Sequence, residues 1–583
     1  MPALSDEEWA EIAGEIPQAS DPFIQKYLQG RDELVSQEQR QRSDHAFKQS
    51  LSPIARRACA IVERIRLEEN GSVWTTALEE KVAERGHVFP GMMFSLAKDA
   101  METTQLWRIV RRMPKGALLH GHNDAMADFD FLIAVLLDTE GMCVACGEGG
   151  LATAQQREER IPEFRFVKSP PADVDAASLW RDDYKAGTFV PITKAADSFP
   201  SSSSSSSSDG SGGGRAAFTA WLKSRVTLSR TDSTEQHHGQ DHIWRKFINC
   251  FRITGSMMHY EPVFRRFLQR VMTLLHEDGV AWAELRHTWP LDYRREGREE
   301  PETDYMHMFT VIDEEVTAFK QANPGFWGVR MIWSSLRSAD ERTMASDMML
   351  CVETKLAFPH LVVGYDVVGQ EDAGPSLKDL LPKFAWFKKL CAQEGVNIPF
   401  FFHAGETLGD GTETDQNLFD AVLLGTRRIG HGFSLHKHPL LIDLVKQKRI
   451  LIESCPISNE VLRLCGSILS HPLPALLARG VPCALSNDDP GMLGQDTAGA
   501  THDFWQALQG WDNLGLGGLG SLAENSIRWS AFEDETDAQW KSSIQQASLG
   551  SGIKAQRLKE WAIKWEDFCL WIVDEYGDKY GEE

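Results

Sequence analysis

The chain reads as an α/β protein folded as a (β/α)₈ barrel, and three features of the sequence predict this. Eight short apolar runs alternate with helical stretches between residues 116 and 490. Several of these runs are apolar almost throughout, as strands buried on both faces must be. Polar residues collect at their C-terminal ends, the face on which such barrels carry their chemistry. The runs are GALLHGH (116–122), VAWAELRH (280–287), GVRMIWSS (328–335), HLVVGYDVVG (360–369), IPFFFHAG (398–405), RRIGHG (427–432), RILIESCP (449–456) and VPCALSNDDP (481–490). Eight strands separated by helices favour closure over an open sheet.

The flanks of the barrel differ in character. Residues 1–100 read as a helical extension, with Ser5 and Glu8 in a capping-box spacing and Pro53 at a first helical turn. Ile54, Ala58, Ile61, Val62 and Ile65 then recur at helical spacing. Such an extension either covers the barrel or joins two copies into a homodimer. The barrel itself is assigned to residues 101–540. A loosely patterned insertion, 127–240, follows the first strand and contains a Ser/Gly tract (201–214) expected to be a disordered loop, since it has no apolar side chains to bury. Residues 541–583 carry Leu558, Trp561, Trp565, Phe568 and Ile572 at helical spacing, the stripe of a helix packed on the barrel.

Composition narrows the function. The 583 residues are 42% hydrophobic and 25% charged, enough for a large core, with a net charge of −23. That acidity, without a dense Lys/Arg run, argues against nucleic acid as a partner. No apolar stretch is long enough to span a membrane, and residues 1–17 have neither the basic nor the apolar region of a signal peptide, so a cytoplasmic location is expected. The ten cysteines are scattered. They read as buried thiols, including the close pair Cys143 and Cys146.

The chemistry is concentrated at strand ends. His120 and His122 close the first run two positions apart, so both imidazoles point to one side. His403, with Glu406 beyond it, closes the fifth run, His431 the sixth, and Asp488 with Asp489 the eighth. Imidazoles and carboxylates gathered at four strand ends of one barrel are the donor set of a metal-dependent hydrolase.

The stretches MPKGALLHGHNDAM (113–126), WRKFINCF (244–251), HYEPVFR (259–265), VVGYDVVGQEDAG (362–374), FFHAGET (401–407), RIGHGFSLHKHP (428–439), CPISNEVL (455–462) and SNDDPGMLG (486–494) resemble the adenosine deaminase family, in its growth-factor-related branch. The resemblance runs from about residue 100 to about residue 530, with the motifs in family order. It implies a barrel of the metallo-dependent hydrolase type and one zinc ion per chain, held by His120, His122, His403 and Asp488. It implies Glu406 as the proton donor to the purine and His431 as the histidine that bonds the attacking water and accepts its proton. Asp489 and Gly369 would hold the purine, and Trp244, Phe247 and Phe251 would lie beside the substrate. The activity implied is hydrolytic deamination of adenosine and 2′-deoxyadenosine to inosine and ammonia.

The sugar end is less regular. Asp124 can reach a sugar hydroxyl, whereas Leu336 stands where the branch has a histidine near the ribose. Carboxylates at the mouth favour a purine nucleoside over a nucleotide, with Arg286 and Arg337 the arginines available if a phosphate were bound. Two other readings stay open: deamination of AMP or a modified adenosine, and a growth-factor-like binding protein with a vestigial site.

Overall fold

The computed structural model describes residues 4–82, 88–170, 175–200, 213–289 and 292–581. Eight parallel strands form the barrel: β1 (Gly116–Leu118), β2 (Val280–Thr288), β3 (Gly328–Leu336), β4 (Val362–Val368), β5 (His403–Ala404), β6 (Arg428–His431), β7 (Leu451–Ser454) and β8 (Cys483–Leu485). They pair as two four-stranded sheets, β1-β2-β3-β4 and β5-β6-β7-β8. Two seams join the sheets. At the first, Tyr365 bridges Phe400, with the Tyr365 N–H donating to Pro399 O at 2.9 Å and Phe401 N–H to Tyr365 O at 3.0 Å. At the second, Gly121 bridges Asp488, and the His122 N–H donates to Asp488 O at 3.0 Å. The barrel therefore closes through residues that belong to its functional end.

Strand lengths follow from these seams. The run IPFFFHAG contributes only two residues of regular strand, because Phe400 to Phe402 are buried but pair across an irregular seam. β2 and β3 reach nine residues each because both neighbours pair with them along most of their length. Helices follow the strands, from Met306–Ala322 after β2 to Gly499–Gly510 and Gly515–Arg528 after β8.

The N-terminal segment is helical. Ser5 and Glu8 form the expected capping box on Asp6–Ala13, and Ser52 caps Pro53–Ser72 with Pro53 in its first turn. The buried face of that second helix is Ala55, Ala58, Ile61, Val62 and Ile65; Ile54, expected on it, is 42% exposed. Ile54 is the second helical residue, and the core lies one position further round, at Ala55. This helix packs on Gly515–Arg528 and on the long C-terminal helix Ile553–Tyr580. The latter buries Leu558, Trp561, Trp565, Phe568 and Ile572. Helices Asp6–Ala13 and Pro22–Gln41 bury no residue.

The segment between β1 and β2 is more ordered than its composition predicted. It holds a three-stranded antiparallel sheet, with Met142–Cys146 between Pro162–Phe166 and Val190–Pro191. Cys143 and Cys146 lie inside the central strand as buried thiols, and all ten cysteines are free. Helices Gln240–Met258 and Glu261–Glu277 return the chain to β2. Residues 201–212 of the Ser/Gly tract lie outside the described residues. No helix among the described residues is long and apolar enough to cross a membrane.

Candidate active site

A cavity of about 440 Å³ opens at the C-terminal end of the barrel. Its floor holds His122, His403, Glu406, His431, Asp488 and Asp489, and its walls hold Asp124, Trp244, Phe247, Phe251 and Gly369. His120 lies just beneath, fully buried, with its ring 4.6 Å from that of His403 and 4.7 Å from that of His431, centroid to centroid. The close approach of His120 to β6 requires a glycine there. A Cβ on Gly430 would sit 2.7 Å from His120 Cε1, against a ring with nowhere to move.

Two backbone kinks aim the key side chains. His431 and Asp488 adopt left-handed φ angles of 60° and 58°, which non-glycine residues seldom adopt. Each comes where its chain segment leaves the barrel wall, and the turn directs the side chain over the barrel mouth. The resulting cluster is dense. Asp488 Oδ1 lies 3.2 Å from His120 Nε2 and 3.3 Å from His122 Nε2. Ligand atoms of His120, His403, His431 and Asp488 fall within 4.8 Å of one another, as do those of His122, Asp488 and Asp489. The four residues expected to bind metal thus converge on Asp488, and His431 joins them.

These donors fit a divalent metal. His120 Nε2 and Asp488 Oδ1 are buried and make no hydrogen bond among the described residues, a costly state for polar atoms unless a cation engages them. The far side of each inner imidazole is occupied. His120 Nδ1 faces Glu453 Oε2 at 2.8 Å, and His403 Nδ1 faces Asp366 Oδ2 at 2.7 Å. With the carboxylates ionised, each imidazole donates from Nδ1 and presents the Nε2 lone pair, the arrangement of a metal-binding histidine. Burial drives His403 down to about 3, so it is neutral at physiological pH. Burial opposes ionisation of Asp366 and Glu453, yet the cations around them hold both below the ordinary carboxylate range.

The cation common to both is Arg286. Its Nε donates to Asp366 Oδ2 at 2.7 Å and its Nη2 to Glu453 Oε2 at 2.8 Å, all three side chains fully buried. Arg286 is therefore committed to the frame of the site and is no phosphate clamp. Arg337 is also buried; its Nη1 donates to Pro375 O at 3.2 Å, while its Nε and Nη2 have no hydrogen-bond partner among the described residues. Of the two arginines expected to be available for a phosphate, Arg286 is held in the frame of the site and Arg337 does not line the cavity.

The three acidic groups above the histidines differ in how readily they ionise. Burial first, then the neighbouring carboxylates of Asp488 and Glu371, raises Glu406 well above its ordinary value. Burial and Asp488 likewise raise Asp489. Burial would raise Asp488 too, but His431, His120 and His122 hold it well below the carboxylate range. The site thus sets one acid that ionises readily beside two that resist ionisation. Glu371 anchors the turn beneath Glu406 by accepting the Glu406 N–H at 2.9 Å and Asn417 Nδ2 at 2.8 Å.

The walls come from the helix Gln240–Met258 and from strand ends. Trp244, Phe247 and Phe251 form a ladder of edge-on contacts with centroids 5.2–5.3 Å apart, and Phe251 leans on His122 at 5.9 Å. Gly369, just past β4, lines the cavity at φ 108°, a conformation that favours glycine. Asp124 pairs with His287, and Leu336 stands at the rim, 49% exposed. Asp366, Glu453, His259, His287 and Asn459 were missed by the sequence reading. Asp366 and Glu453 did carry a signal: each is a lone charge within an apolar strand, where an unpaired charge is untenable.

A family model described as adenosine deaminase matches residues 226–547, more than half of the chain. The match includes His403, Glu406, His431, Asp488 and Asp489; His120 and His122 precede it, on the other side of the insertion. Human "Adenosine deaminase 2" is 33% identical over 459 residues, covering 78% of this chain and 81% of that protein. "Adenosine deaminase 2-A" of Danio rerio is 30% identical over 497 residues, covering 84% and 86%. Among solved structures, an adenine deaminase from Arthrobacter aurescens is 17% identical, with a TM-score of 0.46 over 77% of this chain and 99% of its own. The chain belongs to the adenosine deaminase family.

Proposed function

We propose that this protein hydrolyses adenosine and 2′-deoxyadenosine to inosine or deoxyinosine and ammonia, using one zinc ion per chain. The observation that carries the proposal is the buried carboxyl of Glu406, lining a cavity of about 440 Å³ beside a cluster of metal donors that includes the unpartnered His120 Nε2 and Asp488 Oδ1. Membership of the family supports the same reaction.

His120, His122, His403 and Asp488 would hold the zinc, which when bound supplies the Lewis acidity that makes water nucleophilic near neutral pH. Glu406 donates its proton to N1 of the purine, which lets electrons flow into the ring as water adds at C6. Protonated Asp489 donates to N7, an acceptor, and the Gly369 backbone N–H serves N3. His431 faces the attacking water through Nε2. The aromatic ladder of Trp244, Phe247 and Phe251 excludes bulk water from one side of the cavity. Loss of ammonia leaves the 6-oxo purine.

The sugar is proposed to lie toward Asp124. A nucleoside is favoured over a nucleotide because Arg286 is committed, Arg337 does not line the cavity, and Arg294 donates to Asp292 O and Glu299 O. Comparing kcat/KM for adenosine, 2′-deoxyadenosine, adenine and AMP, on protein of known metal content, tests the assignment. AMP turned over as efficiently as adenosine would overturn the nucleoside preference and point to Arg252, exposed at the rim.

Two copies are further proposed to pair through Asp6–Ala13 and Pro22–Gln41. These helices bury no residue of their own, yet leave Phe23, Tyr27 and Leu34 at least 67% exposed.

A further inference from the structure

His120 and His403 have their tautomers set by carboxylates, but His431 does not. The nearest groups to its Nδ1 are Asn459 Nδ2 at 3.4 Å and Glu406 Oε1 at 3.6 Å, while its Nε2 faces Asp488 Oδ2 at 3.8 Å. Which nitrogen of His431 carries the proton therefore depends on which end of the Asn459 amide is turned toward it.

That orientation is determined from behind. The backbone N–H of Leu473 donates to His471 Nδ1 at 3.1 Å, so Nδ1 is an acceptor. Burial pushes His471 down to about 3, so the ring is neutral and its single proton sits on Nε2. Nε2 lies 2.9 Å from Asn459 Oδ1 and donates to it. With its oxygen engaged, Asn459 turns its NH₂ group toward His431. An amide N–H pointing at Nδ1 requires a lone pair there. All three side chains are buried, and buried polar groups of this kind are held by partners within the protein.

We propose that His471 and Asn459 are positioning residues that lock His431 in the Nε2-protonated tautomer, through a hydrogen-bond relay starting at the Leu473 backbone N–H. The inference rests on the active-site reading above. It revises one part of it: resting His431 offers the attacking water a hydrogen-bond donor, because the Nε2 lone pair is taken by a proton. It also keeps His431 Nδ1 from donating to Glu406 Oε1, 3.6 Å away. Were Nδ1 to carry the proton, its natural acceptor would be Glu406 Oε1, an interaction that favours the ionised carboxylate and removes the acid. The relay keeps that contact from competing with substrate N1.

The test is nitrogen NMR on metal-loaded protein labelled with ¹⁵N-histidine. His431 is assigned by the signals lost in His431→Gln, and its long-range proton couplings identify the protonated nitrogen. Nε2–H is expected; Nδ1–H would overturn the proposal whatever the enzyme turns over, which separates it from the functional reading. Asn459→Asp replaces the donor facing Nδ1 with an acceptor and should move the proton to Nδ1. It should lower kcat by about tenfold or more at unchanged metal content. His471→Gln, whose amide N–H can still donate to Asn459 Oδ1, should keep the Nε2–H pattern, and His471→Leu should lose it. Retention of the Nε2–H tautomer in both Asn459→Asp and His471→Leu would show that the relay does not set it.

Discussion

Arg286 and Glu453 lie 2.8 Å apart, and the Glu453 oxygen that accepts from Arg286 is the one facing His120 Nδ1. One guanidinium thereby braces the carboxylates behind two metal-site imidazoles. Removing it would leave Asp366 and Glu453 with less compensation where both side chains are fully buried. Arg286→Met should cost roughly 3–5 kcal/mol of stability and lower metal occupancy. Arg286→Lys should rescue little, because a single ammonium cannot fork to both acids. Chemical denaturation and metal analysis of the two variants would check this. Stability within about 1 kcal/mol of the parent, on the scale of an exposed pair, would mean the network is not held by Arg286.

Metal content gives the second prediction. The purified protein should hold about one zinc per chain. His120→Ala combined with His122→Ala should lose both metal and activity. Full occupancy in that double variant, measured by elemental analysis, would remove these residues from the ligand set.

Glu406 offers a separation of binding from chemistry. Glu406→Gln has nearly the same shape but no acidic proton. It should retain zinc and bind purine nucleosides, with turnover reduced on the order of 10²–10⁴-fold. Activity within a few-fold of the parent would locate the proton donor elsewhere.

A fourth prediction concerns Glu460, fully buried in the helix Pro456–Val461, where Oε2 accepts the Phe94 N–H at 2.9 Å. Burial raises its pKa from 4.5 to about 8. The folded protein therefore binds this proton more tightly than the unfolded chain does. The associated stability is complete below about 4.5 and declines as pH rises toward about 8, at up to about 1.4 kcal/mol per pH unit. Glu460→Gln cannot ionise and should flatten that decline. Denaturant titrations at several pH values in this window would reveal it, and parallel parent and variant curves would rule it out.

The N-terminal arm provides the fifth. Replacing Phe23, Tyr27 and Leu34 with Ser should convert a dimer to an active monomer, read by light scattering. A monomeric parent protein would dismiss the pairing.

The barrel and the residues at its mouth were legible because they break a pattern. His120, His403, His431 and Asp488 each end an apolar run, and a polar group there must meet something. Partnerships were much less legible. Nothing local to Glu453 says that its neighbours will be His120 and Arg286, which come from distant strands. His471 and Asn459 meet His431 only once the chain after β7 folds back. The sheet inside the insertion escaped because MCVAC is short and wholly buried, without the alternation that marks a two-faced strand. Ile54 was misplaced by one position on its helix for a related reason. A periodic stripe gives the spacing of a face, while its edges depend on the packing partner.

The seam between Gly121 and Asp488 also bears on how the protein is made. The first pair of imidazoles leaves the ribosome early, and the carboxylate they meet arrives only with the last stave of the barrel. No partial chain can assemble this donor set, so a nascent molecule stays unable to hold its metal in that geometry until synthesis is nearly complete. Once the ring shuts, donors from both edges of the seam stand together, and an ion shared between them would act as a rivet across that joint. Metal capture would then mark the finished barrel, and chelation would loosen it first at the place where it was joined.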